Sequence, residues 1–140
     1  MTGGFTIRTG SSDDAATVLR LWRVSEAAES TTDDEPALRT LLARDPGALL
    51  IADADGEPVG TLIVGWDGWR GALYRLAVLP AWRRRGVGRR LVAEAEEHLR
   101  RLGVRRVAAM VILDHEHAAG FWSSVGYQAD PRLGRFVRML

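Results

Sequence analysis

The chain has 140 residues, 46% of them apolar, which is enough for one domain with a buried core. Its 19 basic residues are all arginine and 18 acidic residues nearly balance them, so the net charge of +1 does not favour a general nucleic-acid binder. Cysteine and lysine are absent, which excludes disulfides, cysteine-based zinc sites, a cysteine nucleophile and a lysine base. No apolar run is long enough for a membrane helix and no signal-peptide pattern is present, so we expect a cytoplasmic protein without a membrane partner.

Apolar spacing and turn residues predict strands and helices along the whole chain. Residues 11–14 provide a cap and an acidic first turn for the first helix. Thr32 or Asp33 caps the second helix, with Pro36 in its first turn. The predicted helices cover about 15–28, 35–43, 87–102 and 115–125, and the predicted strands cover 5–8, 48–52, 59–66, 69–78, 106–113, 126–128 and 135–139.

The order of these elements predicts an α+β fold. The strands at 48–52, 59–66 and 69–78 are joined by turns that contain Asp-Gly, which implies an antiparallel meander. The helix at 87–102 then separates two strands by a connection that normally makes a parallel crossover. We therefore expect residues 1–140 to form a single three-layer domain, with a central mixed, mostly antiparallel sheet flanked by about four helices.

An arginine- and glycine-rich loop lies between the strand that ends at Val78 and the helix that starts at Val87. Residues 83–88 fit the pattern Arg-x-x-Gly-x-Gly. Glycines let the backbone approach phosphate oxygens, and the free N–H groups and positive dipole end of a helix start favour an anion. A Walker A loop needs a lysine, and a dinucleotide fingerprint needs a glycine where Leu91 stands. The alternative to an anion site is a solvated arginine cluster beside an ordinary turn glycine.

The wider context of this loop resembles a known motif. Residues 76–92, LAVLPAWRRRGVGRRLV, closely resemble the acetyl-CoA-binding core of the GNAT superfamily of N-acetyltransferases. Residues 118–127, AAGFWSSVGY, resemble the superfamily's second signature, in which an aromatic pair precedes Gly-Phe or Gly-Tyr. The spacing of the two motifs and the strand order also match. The resemblance covers essentially the whole chain and is that of a small stand-alone bacterial member.

This resemblance implies how the chain would bind acetyl-CoA. The strand ending at Val78 would splay from the next strand, and the pantetheine arm would lie in the wedge between them. The Val78 N–H would stabilise the oxyanion of the tetrahedral intermediate. The pyrophosphate would lie on the amides from Arg84 to Arg89. The residues implied to bind acetyl-CoA are Leu76, Ala77, Val78, Arg83, Arg84, Arg85, Gly86, Val87, Gly88, Arg89, His115, Phe121 and Trp122.

Two positions depart from the family's pattern. The family's usual general acid is a tyrosine where this chain has Trp122, and an indole N–H cannot protonate a thiolate, so we expect Trp122 to pack against the pantetheine or the core. The glutamate that some members use as a base is Ala72 here. Tyr74, on the same strand face, either helps to deprotonate the amine through water or lines the acceptor pocket. His115 is either a proton relay or a binding or capping residue, so the catalytic candidates are Val78, Tyr74 and His115.

The acidic connection between the first two helices is expected to border the acceptor amine. Glu26 and Glu29 are candidates to bind a cationic amine, although such acids also suit helix capping and solvent exposure. Trp66 and Tyr74 complete the candidate acceptor pocket, and Trp66 equally suits a dimer contact. The Asp-His-Glu-His run at 114–117 has no distant partner cluster, so we expect no metal.

The leading hypothesis is an N-acetyltransferase. It would move the acetyl group of acetyl-CoA to a primary amine of a small molecule or a peptide N-terminus by direct attack, without an acyl-enzyme. We expect a monomer or homodimer with no nucleic-acid partner. Because the family's usual acid and base are both missing, a non-catalytic acyl-CoA-binding sensor or regulatory module is the alternative.

Overall fold

The chain forms five strands and four α-helices in the residues that its computed structural model describes, which are 4–25, 32–112 and 117–140. The strands are β1 (Thr6–Thr9), β2 (Leu49–Ala54), β3 (Glu57–Trp66), β4 (Gly71–Val78) and β5 (Val107–Ala109). The helices are α1 (Ala15–Val24), α2 (Glu35–Arg44), α3 (Val87–Arg101) and α4 (Ala118–Ser124). The chain divides into two compact units, Met1–Met110 with the sheet and α1 to α3, and Val111–Leu140 with α4.

The sheet of the first unit has the order β1-β2-β3-β4-β5. The first four strands pair antiparallel, and β5 pairs parallel to β4 after the α3 crossover. This is the mixed, mostly antiparallel α+β arrangement that the sequence predicted, and the prediction of the fold class is confirmed.

Helices α1 and α2 cover one face of the sheet. The buried residues of α1 recur at helical spacing, so one side of the helix packs inward. They form one cluster with residues of α2 and with Leu49, Ile51, Ile63 and Ala77 of the strands. The indole of Trp22 is buried in this cluster, and its Nε1 donates a hydrogen bond of 2.8 Å to Thr61 Oγ1.

Helix α3 covers the opposite face and lies on two strand glycines. A methyl group on Gly60 would come within 2.7 Å of Val87 Cγ1, and one on Gly71 within 2.6 Å of Leu99 Cδ1. Val87 begins the helix and Leu99 lies in its last turns. The two glycines therefore let both ends of α3 approach the sheet more closely than any larger residue would allow.

Strand β4 carries one extra residue opposite β3. Thr61 pairs with Ala77 but Ile63 pairs with Tyr74, so three steps along β4 match two along β3. Arg75 lies in this bulge with a φ of 57°, in the left-handed region. A bulge of this kind bends its strand and shifts the alternation of its backbone groups by one residue.

Arg8 joins the edge strand β1 to the start of α1 and to β2. Its guanidinium donates to both carboxylate oxygens of Asp14 at 3.0 and 2.9 Å and also pairs with Asp53. The hydrogen bond from Arg8 is the main reason that the pKa of Asp14 lies below its ordinary value, and the backbone N–H of Ser11 contributes in the same direction.

The helix ends differ from the sequence prediction. The sequence predicted Thr32 or Asp33 as the cap of α2, but Asp34 caps it, because its Oδ1 accepts from Ala37 N at 2.8 Å. Asp33 forms an ion pair with Arg75 instead. Helix α1 ends at Val24, and the predicted end near residue 28 lies outside the described residues.

The predicted strands near the end of the chain are the largest error. Strand β5 is shorter than the predicted 106–113, whose last residue is not described. The structure has no strand at 126–128 or 135–139, and residues 131–140 are all exposed. A strand needs a partner backbone, and α4 is the only regular element among the described residues of the second unit, so alternation alone did not produce strands there.

Candidate active site

The carboxyl end of β4 extends beyond its pairing with β5. Among the described residues of the first unit, β5 pairs only with the first three residues of β4, Gly71 to Leu73, whereas β4 continues to Val78, and we call the side of β4 beyond this pairing its open edge. The N–H of Leu79 donates to Val59 O of β3 at 2.9 Å. Because backbone groups alternate along a strand, the N–H of Val78 points away from β3, towards the side that β5 leaves open.

The bulge at Arg75 sets this direction. Before the bulge, Gly71 N donates to Arg106 O on the β5 side. An uninterrupted alternation from Gly71 would turn the N–H of Val78 towards β3. The extra residue reverses the alternation, so the backbone groups of Leu76 and Val78 face the open side.

The loop that follows β4 curves around the start of α3. Arg84 has a φ of 62° and Gly86 a φ of 85°, so two residues within three positions lie in the left-handed region. The first helical hydrogen bond runs from Arg90 N to Gly86 O, which leaves the N–H groups of residues 87–89 without intrahelical partners. Free N–H groups at a helix start, beside left-handed turns, form a concavity that suits a phosphate.

The arginine side chains of this loop have different environments. Arg85 lies over the ring of Trp82, with its guanidinium carbon 4.5 Å from the ring centroid. Arg84 and Arg89 are exposed, and neither has a hydrogen bond or an ion pair to any residue that the structure describes. Arg83 donates from Nη2 to Ser25 O at 2.9 Å and from Nε to Val78 O at 3.4 Å.

The predicted side chains of β4 lie on both faces of the sheet. Tyr74 is 40% exposed, and its ring lies 3.1 Å from where a Cβ on Gly65 would be, on the face that α1 and α2 cover. Ala77 is buried on this same face. Val78 pairs with Gly60, which faces α3. Tyr74 is four residues from Val78, at most about 13 Å along the strand, so it can reach the strand end only through water or a bound molecule.

One cluster beside this strand was not found from the sequence. Arg75 Nη2 lies 2.7 Å from Asp33 Oδ2, and its guanidinium carbon lies 5.5 Å from the ring centroid of Trp22. Thr61 Oγ1 donates to Arg75 O at 3.3 Å. The cluster links α1, the segment before α2 and the bulge, and no local pattern in the sequence connects residues so far apart in the chain.

Trp66 lies at the other end of the strand pair. It is opposite Gly71, on the sheet face of α3, so the structure does not bring it next to Tyr74. Trp69 is 69% exposed and has the guanidinium carbon of Arg70 at 3.9 Å from its ring centroid. The backbone N–H groups of Arg70 and Trp69 donate to Asp67 and hold the pKa of that carboxyl below its ordinary value.

The second unit contains the aromatic pair of the second signature. Trp122 is buried and meets Phe121 and Tyr127 edge to face, at centroid distances of 5.3 and 5.0 Å. Gly126, with a φ of 97°, ends α4, and the N–H of Tyr127 donates back to Trp122 O at 2.9 Å. The indole of Trp122 therefore packs against aromatic rings of its own unit.

Three predicted site residues, Glu26, Glu29 and His115, lie outside the described residues. Among the residues that are described, no group of three or more His, Asp or Glu side chains is arranged to hold a metal ion. Within the same ranges every helix is too short or too polar to cross a lipid bilayer.

Comparisons with known proteins bear on the family and the fold of the chain. The sequence model of the Acetyltransferase (GNAT) family matches residues 15–127. An acetyltransferase from Pectobacterium atrosepticum is 32% identical over 122 residues, which cover 87% of this chain and 86% of that protein. The crystal structure of Ard1 from Thermoplasma volcanium superposes with a TM-score of 0.77 at 24% identity, over 87% of this chain and 81% of that one. The PaiA N-acetyltransferase from Thermoplasma acidophilum, in complex with coenzyme A, superposes with a TM-score of 0.75 at 18% identity, over 91% of each chain.

Proposed function

Because the chain belongs to the GNAT family of acetyltransferases, we propose that it moves the acetyl group of acetyl-CoA to a primary amine of a small molecule or of a peptide N-terminus. We further propose that residues 1–140 act as one acetyltransferase domain. The family match to residues 15–127, which includes parts of both compact units, supports this.

The open edge of β4 beside the start of α3 is the observation that carries the proposal. The pantetheine arm of acetyl-CoA would pair with the backbone groups of Leu76 and Val78 that face the open side. The pyrophosphate would lie on the amides of residues 84–89, where free N–H groups and the positive end of α3 favour an anion. The coenzyme A complex of the similarly folded PaiA protein supports a donor of this class.

The chemistry follows from the placement of the thioester at the strand end. A neutral amine attacks the thioester carbon, a C–N bond forms, and the carbonyl oxygen becomes an oxyanion that the Val78 N–H stabilises. The C–S bond then breaks and coenzyme A leaves as a thiolate, while the amine loses its proton to water. No acyl-enzyme is needed, which agrees with the absence of cysteine.

Of the steps in the proposed reaction, proton transfer has the fewest side chains placed to carry it out. Tyr74 is exposed enough to contact an amine through water, and we propose it as the residue that orients the acceptor. His115 stays a candidate relay. A thiol is acidic enough to leave as the thiolate near neutral pH, so the reaction does not require an acid at Trp122.

Calorimetric titration with acetyl-CoA, followed by a thiol-release assay over a panel of amines and short peptides, tests the proposal. We expect binding in the micromolar range and release of coenzyme A with at least one amine. The absence of acetyl-CoA binding would refute it.

A non-catalytic acyl-CoA sensor is the second candidate, favoured by the apolar residues Ala72 and Trp122 at the positions of the family's usual base and acid. Tight acetyl-CoA binding without thiol release across the whole panel would favour this candidate. Thiol release that depends on Tyr74 would exclude it.

A further inference from the structure

Arg83 connects the loop after β4 to the end of α1. Its Nη2 donates to the carbonyl of Ser25 at 2.9 Å and its Nε to the carbonyl of Val78 at 3.4 Å. Ser25 is buried and follows the last residue of α1, and its own N–H donates to Leu21 O at 2.9 Å. The guanidinium therefore bridges a helix end to the strand end where the thioester is proposed to lie.

The chemistry of these partners explains the position of the guanidinium. Carbonyl groups at the end of a helix lack intrahelical partners and carry the negative end of the helix dipole. A guanidinium satisfies them and is stabilised by them. At least two donor groups of Arg83 are thus directed to backbone carbonyl oxygens, Nη2 to Ser25 at the end of α1 and Nε to Val78 at the end of β4.

The neighbouring arginines have no such contacts. Arg84 and Arg89 are exposed and make no hydrogen bond or ion pair within the described residues, and Arg84 follows Arg83 with a left-handed backbone. Their charges remain available to a ligand at the start of α3.

We propose that Arg83 is a positioning residue that couples the acetyl-CoA loop to α1, and that Arg84 and Arg89 supply the charge that meets the phosphates. The coupling presupposes the acetyl-CoA site proposed above. Helices α1 and α2 cover the sheet face on which Tyr74 lies. Through its contact with the end of α1, Arg83 would therefore link the binding of acetyl-CoA to the side of the protein where the acceptor is proposed to bind.

Calorimetric titration with coenzyme A at low and high salt distinguishes the two roles. Arg84→Gln and Arg89→Gln should each weaken binding by about fivefold to tenfold at low salt and reduce its salt dependence, because an exposed charge near a phosphate is screened by salt. Arg83→Gln should stay within about threefold of the wild type, with a smaller change in salt dependence than Arg84→Gln or Arg89→Gln, since hydrogen bonds to the carbonyls of Ser25 and Val78 hold its guanidinium. Arg101→Gln, an exposed position in the last turn of α3, controls for the loss of one positive charge.

Hydrogen exchange tests the coupling itself. Coenzyme A at saturation should slow exchange in residues 21–25 of the wild type, because the occupied loop holds the end of α1 through Arg83. In Arg83→Gln, at equal saturation, we expect this protection to disappear, whereas Arg101→Gln should keep it. A merely structural contact would change exchange in the free protein and leave the effect of coenzyme A intact.

Three results would overturn the assignment. A tenfold loss of affinity in Arg83→Gln with a reduced salt dependence would make Arg83 a phosphate ligand. Protection of residues 21–25 that survives Arg83→Gln, or that is absent from a wild type that binds coenzyme A, would exclude the coupling alone. A wild type that does not bind coenzyme A would instead refute the proposed function, and the coupling with it.

Discussion

A methyl group at Gly60 is expected to displace the start of α3. The new Cβ would lie 2.7 Å from Val87 Cγ1 and 3.3 Å from Leu91 Cδ1. Val87 is β-branched and therefore stiff at χ1 in a helix, so it cannot rotate away easily. Overpacking of this kind costs about 1–3 kcal/mol. For a chain of this size that corresponds to a fall in Tm of roughly 3–10 °C.

The same displacement should weaken acetyl-CoA binding. Val87 begins α3 and its N–H belongs to the group proposed to hold the pyrophosphate. Loss of one well-placed hydrogen bond to a charged group corresponds to about a tenfold loss of affinity. Differential scanning fluorimetry measures the first effect of Gly60→Ala, and calorimetric titration with acetyl-CoA measures the second.

Gly71→Ala is the matched control at the other end of the same helix. Its Cβ would lie 2.6 Å from Leu99 Cδ1, which is the far end of a more flexible side chain. We expect a similar or smaller fall in Tm and an unchanged acetyl-CoA affinity. Equal losses of affinity in both variants would show that the position of the helix start does not determine binding. An unchanged Tm in both would refute the packing argument.

Three further changes test other parts of the structure. Gly86→Asp should abolish acetyl-CoA binding in calorimetry because it places a carboxylate at the proposed phosphate site, whereas Gly86→Asn, which tolerates the left-handed backbone and is neutral, should retain weakened binding. Thr61→Val should lower the free energy of unfolding in urea by about 1–3 kcal/mol because it leaves the buried N–H of Trp22 without an acceptor, and Thr61→Ser should recover most of that loss. Asp14 has a lowered pKa in the folded protein, so its stabilising contribution is present above its unfolded pKa and is lost as the pH falls through the folded value; Tm of Asp14→Asn should therefore fall less than that of the wild type between neutral and acidic pH. An equal fall in Tm for Asp14→Asn and the wild type would show that the hydrogen bonds of Asp14 with Arg8 do not cause this pH dependence of stability.

The parts of the fold that the sequence predicts well are those with local signals. The apolar stripes of α1 and α3 repeat at helical spacing, and Asp-Gly turns separate β2, β3 and β4. Gly86 reads as the residue before a helix start and indeed has the left-handed φ that the turn requires. Each of these signals lies within one element or one turn, so no knowledge of distant contacts is needed.

The bulge at Arg75 has no such signal. Glycine is the residue expected at a positive φ, yet here an arginine occupies it. The conformation is accompanied by contacts with Asp33 and Trp22, which come from other elements, and by the hydrogen bond from Thr61 to Arg75 O. The alternation of strand residues alone also predicted strands after α4 that the structure lacks, because alternation does not reveal whether a partner strand exists.

The donor and the acceptor of the proposed reaction would be bound by different kinds of group. The groups proposed to pair with the pantetheine arm, the oxyanion and the pyrophosphate are, apart from the arginine charges, backbone N–H and carbonyl groups placed by a strand end, a bulge or a helix start. The positions of these backbone groups depend on turn residues such as Gly86, so the donor site can be recognised from a short sequence motif. The acceptor side depends on which side chains α1, α2 and β4 bring together, as the pairing of Arg75 with Asp33 shows. Such contacts join residues distant in sequence, and the acceptor of the proposed reaction therefore depends on the part of the chain in which local patterns carry the least information.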